Sequence, residues 1–585
     1  MKPASSAQSI SNSESMLLTI EINGRQTTAK RGETILTALN RTGVKVPTLC
    51  HLSNFSPGGA CRMCVVEVEG LSHLVPACSY QVEEWMKIFT HSPRVLKARK
   101  TLVELLLANH PDDCLYCDRS GTCELQGLSE ELQVRERKYL SKRTPVQIDK
   151  ACPSIQRDPA KCVLCGRCSR ICSEVMGVAA IDAVGRGFHT RIGTSYNKGL
   201  NVNACVRCGQ CVMGCPTAAL TERSSISQVM EALVNKELHT VVQFSPTLPA
   251  AIAEEFGLKS NKDILSLLRS VFKKMGFRQS FDISLAADIN IMEEAALFPE
   301  SGSANPGLPL FTSCCPAWVR YVKNLRPEFA HCLSTVKSPQ QIMGTLIKKY
   351  ITSNAGIKTE NVFVVSVMPC TAKKAEAEDD GSTPKPVNAV ITTRELVKMI
   401  RLLGIDISSL EPEPSDTSYA MSSSSGRLFG VSGGHLEGLM RSIHFMSSGQ
   451  ELSPAKITDL RGLKSRKEAR VRINKQQVNI VAVSGLANAI ALLDEIARGN
   501  NSFQIVEVMA CENGCINGGG QKIGSDEKNM KARMKALYDA DEEEIVKQAH
   551  KNPVLTELAN KFLSKPNSPG NREILHTNHT QTDGK

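Results

Sequence analysis

The chain has 585 residues, of which 41% are hydrophobic, and its formal net charge is +11. This length is typical of about three to five domains. Because no run of about 18 apolar residues occurs, we expect no membrane span. The positive charge by itself is weak evidence for nucleic-acid binding, and we expect none.

The chain also contains 22 cysteines, which fall into groups. In a reducing compartment, clustered cysteines usually bind metal rather than form disulfides. The polar, serine-rich residues 1–15 lack the apolar core of a secretory signal and predict a disordered tail, with a short organellar presequence as the alternative.

Residues 16–93 predict a small sheet with one helix. A strand is expected at 17–22, followed by a tight hairpin turn at Asn23-Gly24. A short helix at 34–39, closed by Gly43, precedes a half-buried strand at 64–69.

This first domain carries four cysteines. One close pair follows Gly58-Gly59, and glycines let the backbone wrap so that its N–H groups point at sulfur. Zinc sites usually have two C-x2-C pairs, whereas here one pair has two distant partners. We therefore predict a 2Fe–2S cluster held by Cys50, Cys61, Cys64 and Cys78.

Residues 94–145 predict a second cluster domain. A helix over 98–109 should end before Pro111, because the residue before proline avoids the α region. Three cysteines follow, which is one ligand short of a complete set. The imidazole of His110, at the end of the helix, completes the set. The predicted 4Fe–4S ligands are His110, Cys114, Cys117 and Cys123.

Residues 146–222 contain an internal repeat with the spacing C-x2-C-x2-C-x3-C, which is that of two-cluster bacterial ferredoxins. In that arrangement the fourth cysteine of each run binds the other cluster. One 4Fe–4S cluster is thus expected on Cys162, Cys165, Cys168 and Cys215, and the second on Cys205, Cys208, Cys211 and Cys172.

Residues 223–577 predict a large α/β domain, and 578–585 a tail. The apolar runs 362–367, 478–483 and 505–509 have strand length and favour a parallel sheet covered by helices. The Pro- and Ser-rich segment 411–426 predicts a surface loop. The expected fold class is therefore multidomain, α+β and α/β.

Three cysteine motifs follow predicted strands of this domain: Cys314-Cys315-Pro316, Pro369-Cys370-Thr371 and Cys511-Glu512-Asn513-Gly514-Cys515. Pro316 suits the first turn of a helix. Open α/β sheets build their sites at the carboxyl ends of strands, so these distant cysteines should meet in one crevice.

Together the three motifs resemble the signatures of iron-only (FeFe) hydrogenases. The first two cluster domains resemble those of the electron-input subunit of respiratory complex I. The resemblance implies the reversible reaction 2H⁺ + 2e⁻ = H2 at an H-cluster, a 4Fe–4S cluster bridged to a two-iron unit with CO, cyanide and a dithiolate. It implies Cys315, Cys370, Cys511 and Cys515 as ligands, with Cys515 as the bridge. The expected cofactors are one 2Fe–2S cluster, three 4Fe–4S clusters and the H-cluster.

The resemblance also implies roles for residues near the H-cluster. Lys373 matches the lysine that donates to cyanide, and Met368 and Met509 match residues packed round the two-iron unit. Cys314 matches the thiol that relays protons. Further along the family's proton route, Glu294 matches the outer glutamate and Ser334 the serine. Gly518 to Gly520 would let the backbone approach the cluster.

The chain departs from the family in two places. Leu297 and Ser301 stand where the family has a second glutamate and an arginine, so we expect an altered proton route that uses Glu294 and Glu300. Asn513 replaces a glycine, and asparagine tolerates a positive φ better than most residues. The remaining Cys152 and Cys332 are expected to be structural thiols.

Three alternatives are an assembly factor for cytosolic iron–sulfur proteins, a complex I subunit and an H2-sensing hydrogenase. The first lacks counterparts of Cys314 and Lys373, the second lacks the three late motifs, and the third would carry a signalling domain. The expected partners are ferredoxin or NAD(P)H-oxidising subunits, together with hydrogenase maturation enzymes. The expected location is the cytoplasm, with the hydrogenosome or a related organelle as the alternative.

Overall fold

The computed structural model describes residues 17–53, 55–141, 147–201, 204–258, 263–298, 309–351, 356–379, 384–415, 419, 421–453, 455, 457–473, 476–499, 502–524 and 526–579. Within these ranges, no helix has both the length and the apolar character needed to cross a membrane. The predicted tail 1–15, residues 580–585 of the C-terminal tail, and Glu300 and Ser301 lie outside the described residues.

The first domain is a five-stranded sheet with one helix, as predicted. Its elements are β1 (Leu17–Ile22), β2 (Arg25–Lys30), α1 (Ile35–Arg41), β3 (Val65–Val68), β4 (Val75–Pro76) and β5 (Lys87–Phe89), in the sheet order β2-β1-β5-β3-β4. Asn23 and Gly24 both have positive φ and close the predicted hairpin. The Thr34 side chain caps α1.

The second and third domains are small and mostly loop. Their elements are α2 (Pro93–Asn109), α3 (Glu124–Glu131), β6 (Ile155–Arg157), α4 (Arg167–Arg170), β7 (Asp182–Val184), β8 (Arg191–Gly193), α5 (Gln210–Gly214) and β9 (Leu220–Glu222). Helix α2 ends before Pro111 as predicted, but it begins about one and a half turns earlier than predicted. Ser92 caps it and Pro93 occupies its first turn, where a missing N–H costs nothing.

The large domain contains two four-stranded sheets. Their strands are β10 (His239–Phe244), β11 (Gln279–Asp282), β12 (Leu310–Phe311), β13 (Val362–Met368), β14 (Ala389–Thr392), β15 (Arg466–Ile473), β16 (Gln476–Ser484) and β17 (Ile505–Met509), in the orders β11-β10-β13-β14 and β12-β17-β16-β15. All strands of the first sheet are parallel, and only the β15–β16 pair of the second is antiparallel.

The three apolar runs are strands β13, β16 and β17, which confirms that part of the prediction. The antiparallel β15 lies at an edge, and its residues alternate between exposed and buried. One solvent-exposed face is typical of an antiparallel edge strand, whereas parallel strands are covered on both faces.

Helices surround both sheets. They are α6 (Ile226–Val234), α7 (Leu248–Phe256), α8 (Ile264–Met275), α9 (Ser284–Leu297), α10 (Pro316–Leu325), α11 (Pro339–Leu346), α12 (Ala372–Asp379), α13 (Thr393–Leu402), α14 (Ser424–Arg427), α15 (Gly434–Ser448), α16 (Leu486–Ala497), α17 (Glu527–Glu543), α18 (Pro553–Lys561) and α19 (Pro569–Leu575). Pro316 occupies the first turn of α10, as predicted.

The end of the predicted surface loop 411–426 is buried instead, so that part of the prediction was wrong. Residues 422–425 are at most 2% exposed, and the last two of them begin α14. The buried carboxylate of Asp288 in α9 accepts hydrogen bonds from the backbone and hydroxyl of Ser423 at 2.7 and 2.6 Å. Serine composition indicated a solvated loop, but a buried acceptor draws these hydroxyls inward.

Candidate active site and cluster sites

The carboxyl ends of β12, β13 and β17 bring the three late cysteine motifs to one cavity of about 710 Å³. Cys315 caps α10 and Cys370 lies between β13 and α12. Cys511 and Cys515 lie on the loop after β17. The cavity wall also includes Cys314, Lys373, Met368 and Met509. The predicted convergence of distant cysteines is therefore present in the fold.

Unusual backbone conformations shape the loop after β17. Asn513 has a φ of +63°, the left-handed conformation expected for a residue in place of glycine. At Gly514, with a φ of +95°, a Cβ would lie 2.8 Å from the Met509 sulfur. Methionine packing and the turn therefore exclude a side chain at position 514.

Glycines 518 to 520 allow close backbone packing against neighbouring loops. A Cβ at Gly518 would lie 2.2 Å from the Pro369 carbonyl oxygen, and one at Gly519 would lie 2.1 Å from the Cys208 carbonyl oxygen. The Gly520 N–H donates to the Pro369 carbonyl at 2.8 Å. These glycines thus pack the two cysteine loops and the ferredoxin-like repeat against each other.

The thiols round the cavity suit an iron–sulfur cluster. Burial raises the pKa of Cys370 to about 11 and that of Cys511 well above its ordinary value. Several buried thiolates would be unstable without cationic charge among them. Thiolates are the usual ligands of iron–sulfur clusters, so this donor set and the cavity fit such a group.

Lys373 is fixed at the cavity wall by two acceptors. Its ammonium is 2.9 Å from both carboxylate oxygens of Glu376 and 3.2 Å from the Cys314 carbonyl oxygen. Burial disfavours the ammonium, but the Glu376 carboxylate outweighs it and raises the pKa of Lys373. Glu376 also accepts from Ser338 and Gln340 at 3.0 and 2.9 Å. The lysine is therefore charged, with a constrained position.

Cys314 is a buried thiol next to a predicted ligand. Burial, followed by the charges of Cys315 and Glu294, raises its pKa well above the ordinary value. A thiol in this environment stays protonated.

The predicted outer residues of the proton route occupy different surroundings. Glu294 is fully buried and lies 2.7 Å from Nε2 of His435. The Ser334 hydroxyl accepts a hydrogen bond from the Val336 N–H at 3.3 Å, and the backbone carbonyl of Ser334 accepts one from His579 at 3.0 Å. Leu297 packs against an apolar cluster. Among the described residues, no hydrogen bond joins Ser334 to Glu294.

His435 and Glu376 were not predicted from the sequence. Glu376 is three residues from Lys373 on α12, a helical spacing that could have indicated the ion pair. His435 is 141 residues from Glu294, and nothing in its local sequence points to a carboxylate partner.

Two further cavities lie in the ferredoxin-like repeat. One, of about 420 Å³, is bordered by Cys162, Cys165, Cys168 and Cys215. The other, of about 430 Å³, is bordered by Cys172, Cys205, Cys208 and Cys211. The structure therefore groups these thiols into the two crossed sets that the spacing predicts.

The repeat contains matching strained residues. Leu164 and Arg207, each two residues after the first cysteine of its run, have φ values of +52° and +62°. This conformation aims their N–H groups at the sulfurs of Cys162 and Cys205, both over 3.4 Å. Strain of this kind persists where it serves a site, and here it supplies donors to two sulfurs that would carry negative charge.

The other two predicted sites are nearer the N-terminus. In the first domain, close sulfur contacts join Cys50 to Cys61 and Cys78, and Cys64 to Cys78. In the second, His110 is the buried cap of α2, Cys114 is exposed, and Cys117 and Cys123 are half-buried. The side chains of Leu115 and Tyr116, between the cysteines, are 91% and 90% exposed.

Polar contacts connect successive sites. Arg170 of the repeat donates to the carbonyls of Cys50 and Ser56 in the first domain, the latter over 2.7 Å. On the other side, Thr371 donates to the Arg207 carbonyl at 2.8 Å, and the Gln210 amide donates to the Cys511 sulfur at 3.2 Å. The repeat therefore contacts both the N-terminal domain and the large cavity.

Comparison with known proteins identifies the family. Residues 238–519 match the iron-only hydrogenase large subunit, C-terminal domain. The NADP-reducing hydrogenase subunit HndD of Solidesulfovibrio fructosivorans is 38% identical over 578 residues, covering 96% of this chain and 99% of the relative. The chain belongs to the iron-only hydrogenase family. It is an oxidoreductase with 2Fe–2S and 4Fe–4S clusters and an H-cluster.

Other matches agree with this hydrogenase assignment. Iron hydrogenase 1 of Clostridium pasteurianum is 36% identical, covering 95% of this chain and 99% of the relative. A variant of an FeFe-hydrogenase of Chlamydomonas reinhardtii superposes with a TM-score of 0.54 at 27% identity, covering 61% and 98% of the two chains. The mouse cytosolic iron-sulfur assembly component 3 is 29% identical over 65% of this hydrogenase and 83% of that relative. The assembly-factor alternative is therefore the more distant one.

The accessory domains of the hydrogenase match known families too. Residues 15–93 match a 2Fe-2S cluster binding domain, 99–138 the iron-sulfur binding region of NADH-ubiquinone oxidoreductase-G, and 200–221 a 4Fe-4S binding domain. Residues 527–582 match an iron hydrogenase small subunit. In that segment, Arg533 of α17 donates to the Ile516 carbonyl at 2.9 Å, beside the cavity loop.

Proposed function

We propose that this hydrogenase interconverts protons and H2 at the cavity beside the carboxyl ends of β12, β13 and β17, in a domain of residues 223–577. The observation that carries the proposal is the meeting of Cys315, Cys370, Cys511 and Cys515 with Cys314 and Lys373 round one cavity. These four thiols would hold the H-cluster, with Cys515 as the bridge. When bound, the H-cluster supplies the metal centre at which H2 is formed or split.

The remaining cofactors follow from the other ligand sets. We propose one 2Fe–2S cluster in residues 16–93, one His-ligated 4Fe–4S cluster in 94–145 and two 4Fe–4S clusters in 146–222. The two thiol-lined cavities of the repeat support the last pair, and close sulfur contacts support the first. His110 as fourth ligand rests on its buried place at the end of α2 beside three cysteines.

The protein's own residues hold and move charge round this site. Lys373, held by Glu376, places a fixed ammonium at the cavity wall, where it would donate to an anionic cyanide. Met368 and Met509 are 2% and 3% exposed and keep water from that wall. Cys314 would carry the first proton between the cavity and Glu294, and Ser334 belongs to the outer part of the route.

Electrons would travel along the connected sites. The repeat contacts the Cys511 sulfur through Gln210 and the Cys50 loop through Arg170. The electron partner is ferredoxin or an NAD(P)H-oxidising subunit. The NADP-reducing name of the relative and the match of residues 99–138 to a complex I-type region support the second. Hydrogenase maturation enzymes would build the two-iron unit, and the cytoplasm is the proposed compartment.

Purification with native partners tests the proposal. The enzyme should show infrared bands of CO and cyanide, and it should evolve H2 with reduced ferredoxin or NAD(P)H. Iron analysis and EPR should resolve the proposed cluster set. A preparation with full iron–sulfur content but neither CO bands nor H2 evolution in any assay would contradict it.

A further inference from the structure

A buried acid–base pair connects two helices behind the active-site cavity. Glu294 is near the end of α9 and His435 is the second residue of α15. The carboxylate Oε2 and the imidazole Nε2 are 2.7 Å apart, and neither side chain is exposed. Gly438 permits the close helix contact, because a Cβ there would lie 2.9 Å from Cδ1 of Ile291.

Each member of the pair has a second polar atom that its partner does not satisfy. Within the described ranges, Oε1 of Glu294 and Nδ1 of His435 are buried without a hydrogen-bond partner. Leaving a buried polar atom unpaired costs about 1–3 kcal/mol. A pair that served packing alone would be expected to satisfy both atoms, whereas an imidazole relay needs its second nitrogen available.

The pair also lies close to the active-site cavity. Phe429 lines the cavity, and its ring centroid is 4.6 Å from that of His435. One aromatic ring therefore separates the imidazole from the cavity.

The proton route expected from the family resemblance meets apolar side chains at position 297. Leu297, one turn after Glu294, packs against the apolar cluster that contains Val336 and Leu575. The adjacent Glu293 is bound to Asn571 at 2.6 Å and to His576 at 3.2 Å. A proton on Glu294 therefore has no carboxylate at position 297 to move to, but it has an imidazole in direct contact.

We propose that His435 is the proton-relay residue that follows Glu294, in place of the carboxylate that Leu297 cannot supply. During H2 oxidation the protonated Glu294 carboxyl gives its proton to Nε2 of His435. The O–H bond breaks and the N–H bond forms, which leaves a glutamate and an imidazolium. The imidazolium then passes the proton on Nδ1 to a water molecule, which leaves a neutral imidazole with its proton on Nε2 and a hydronium ion. H2 evolution runs these transfers in reverse.

The inference rests on the proposed role of Glu294, and a set of variants in the matured full-length enzyme separates the two. His435→Gln keeps an amide donor for the carboxylate but cannot relay a proton. It should lower H2 evolution at least tenfold and raise the solvent deuterium isotope effect, with unchanged iron content and CO and cyanide bands. Adding Leu297→Glu should restore most of the rate, because a carboxylate returns to the family position.

A readout independent of turnover is the infrared carbonyl band of the protonated Glu294 carboxyl. The band should disappear in Glu294→Gln and shift in His435→Gln, because its hydrogen-bond partner changes. Imidazole added to His435→Ala should recover activity in proportion to its concentration, which a packing defect would not do.

Three results would overturn the inference. The first is H2 evolution within twofold of the parent in His435→Gln. The second is a loss of H2 evolution in the His435 variants that neither Leu297→Glu nor added imidazole repairs. The third is a tenfold loss of H2 evolution in Glu300→Gln while His435→Gln keeps the parental rate. If Glu294→Gln also retains the parental rate, then the proposed role of Glu294 itself is wrong.

Discussion

The side-chain amide of Gln210 donates a hydrogen bond over 3.2 Å to the sulfur of Cys511. The same amide nitrogen donates to the Asn517 carbonyl at 2.8 Å. Gln210 begins helix α5 of the ferredoxin-like repeat, and Cys511 is a proposed H-cluster ligand on the loop after β17. One side chain thus connects the last relay domain to the active-site loop.

Replacing this amide should shift a reduction potential. A donor to a ligand sulfur stabilises the reduced, more negative cluster, so Gln210→Leu should lower the potential of the 4Fe–4S part of the H-cluster. A hydrogen bond to a charged acceptor contributes ~1.5 kcal/mol, which is on the order of 60 mV for a one-electron couple. Redox titration followed by infrared and EPR spectroscopy measures the shift. The exposed Gln228→Leu should leave it unchanged, and equal potentials in both variants would show that the Gln210 contact is not a tuning bond.

The thiol of Cys314, which lies next to Cys315 and is not among the predicted cluster ligands, should be essential for turnover. Cys314→Ser should keep all clusters but lower H2 evolution by ~10²-fold or more, because a hydroxyl is far less acidic than a thiol. Iron content and CO bands verify loading. Cys332→Ala, in an apolar cluster and not among the residues that line the cavity, is the matched control and should retain most activity. Near-normal H2 evolution by fully loaded Cys314→Ser would exclude the relay role.

His110 should hold one accessory cluster. His110→Ala should lower the iron content by one labile cluster, or leave a three-iron cluster, while the CO and cyanide bands persist. The exposed His73→Ala serves as the control. The measurements are iron analysis and the EPR spectrum of the reduced protein, and no change in either would mean that another group completes the set.

Maturation enzymes should be needed for activity but not for the iron–sulfur clusters. Expression in a host without them should give brown, inactive protein, because general machinery assembles iron–sulfur clusters but not CO and cyanide ligands. Incubation with the maturation enzymes should then restore H2 evolution and the infrared bands. Activity from the unsupplemented host would contradict the proposed two-iron unit.

The sequence by itself determined much of the architecture. Short-range rules explain why: cysteine spacing sets which thiols can reach one cluster, apolar runs of strand length predict β13, β16 and β17, and Pro316 marks the start of α10. These features depend on neighbours within a few residues along the chain. The positive φ of Asn513 agrees with the tolerance of asparagine for that conformation.

Only the tertiary structure decided contacts between distant segments. Serine composition at 422–425 indicated a solvated loop, yet the buried Asp288 draws Ser423 inward across 135 residues. Similarly, His435 meets Glu294 across 141 residues, and Gln210 meets Cys511 across 301. No local pattern encodes such pairs, because they depend on which helix faces pack together. In this hydrogenase the grouping of the cysteines could be predicted from the sequence, whereas the surroundings of the proposed proton carriers required the packed fold.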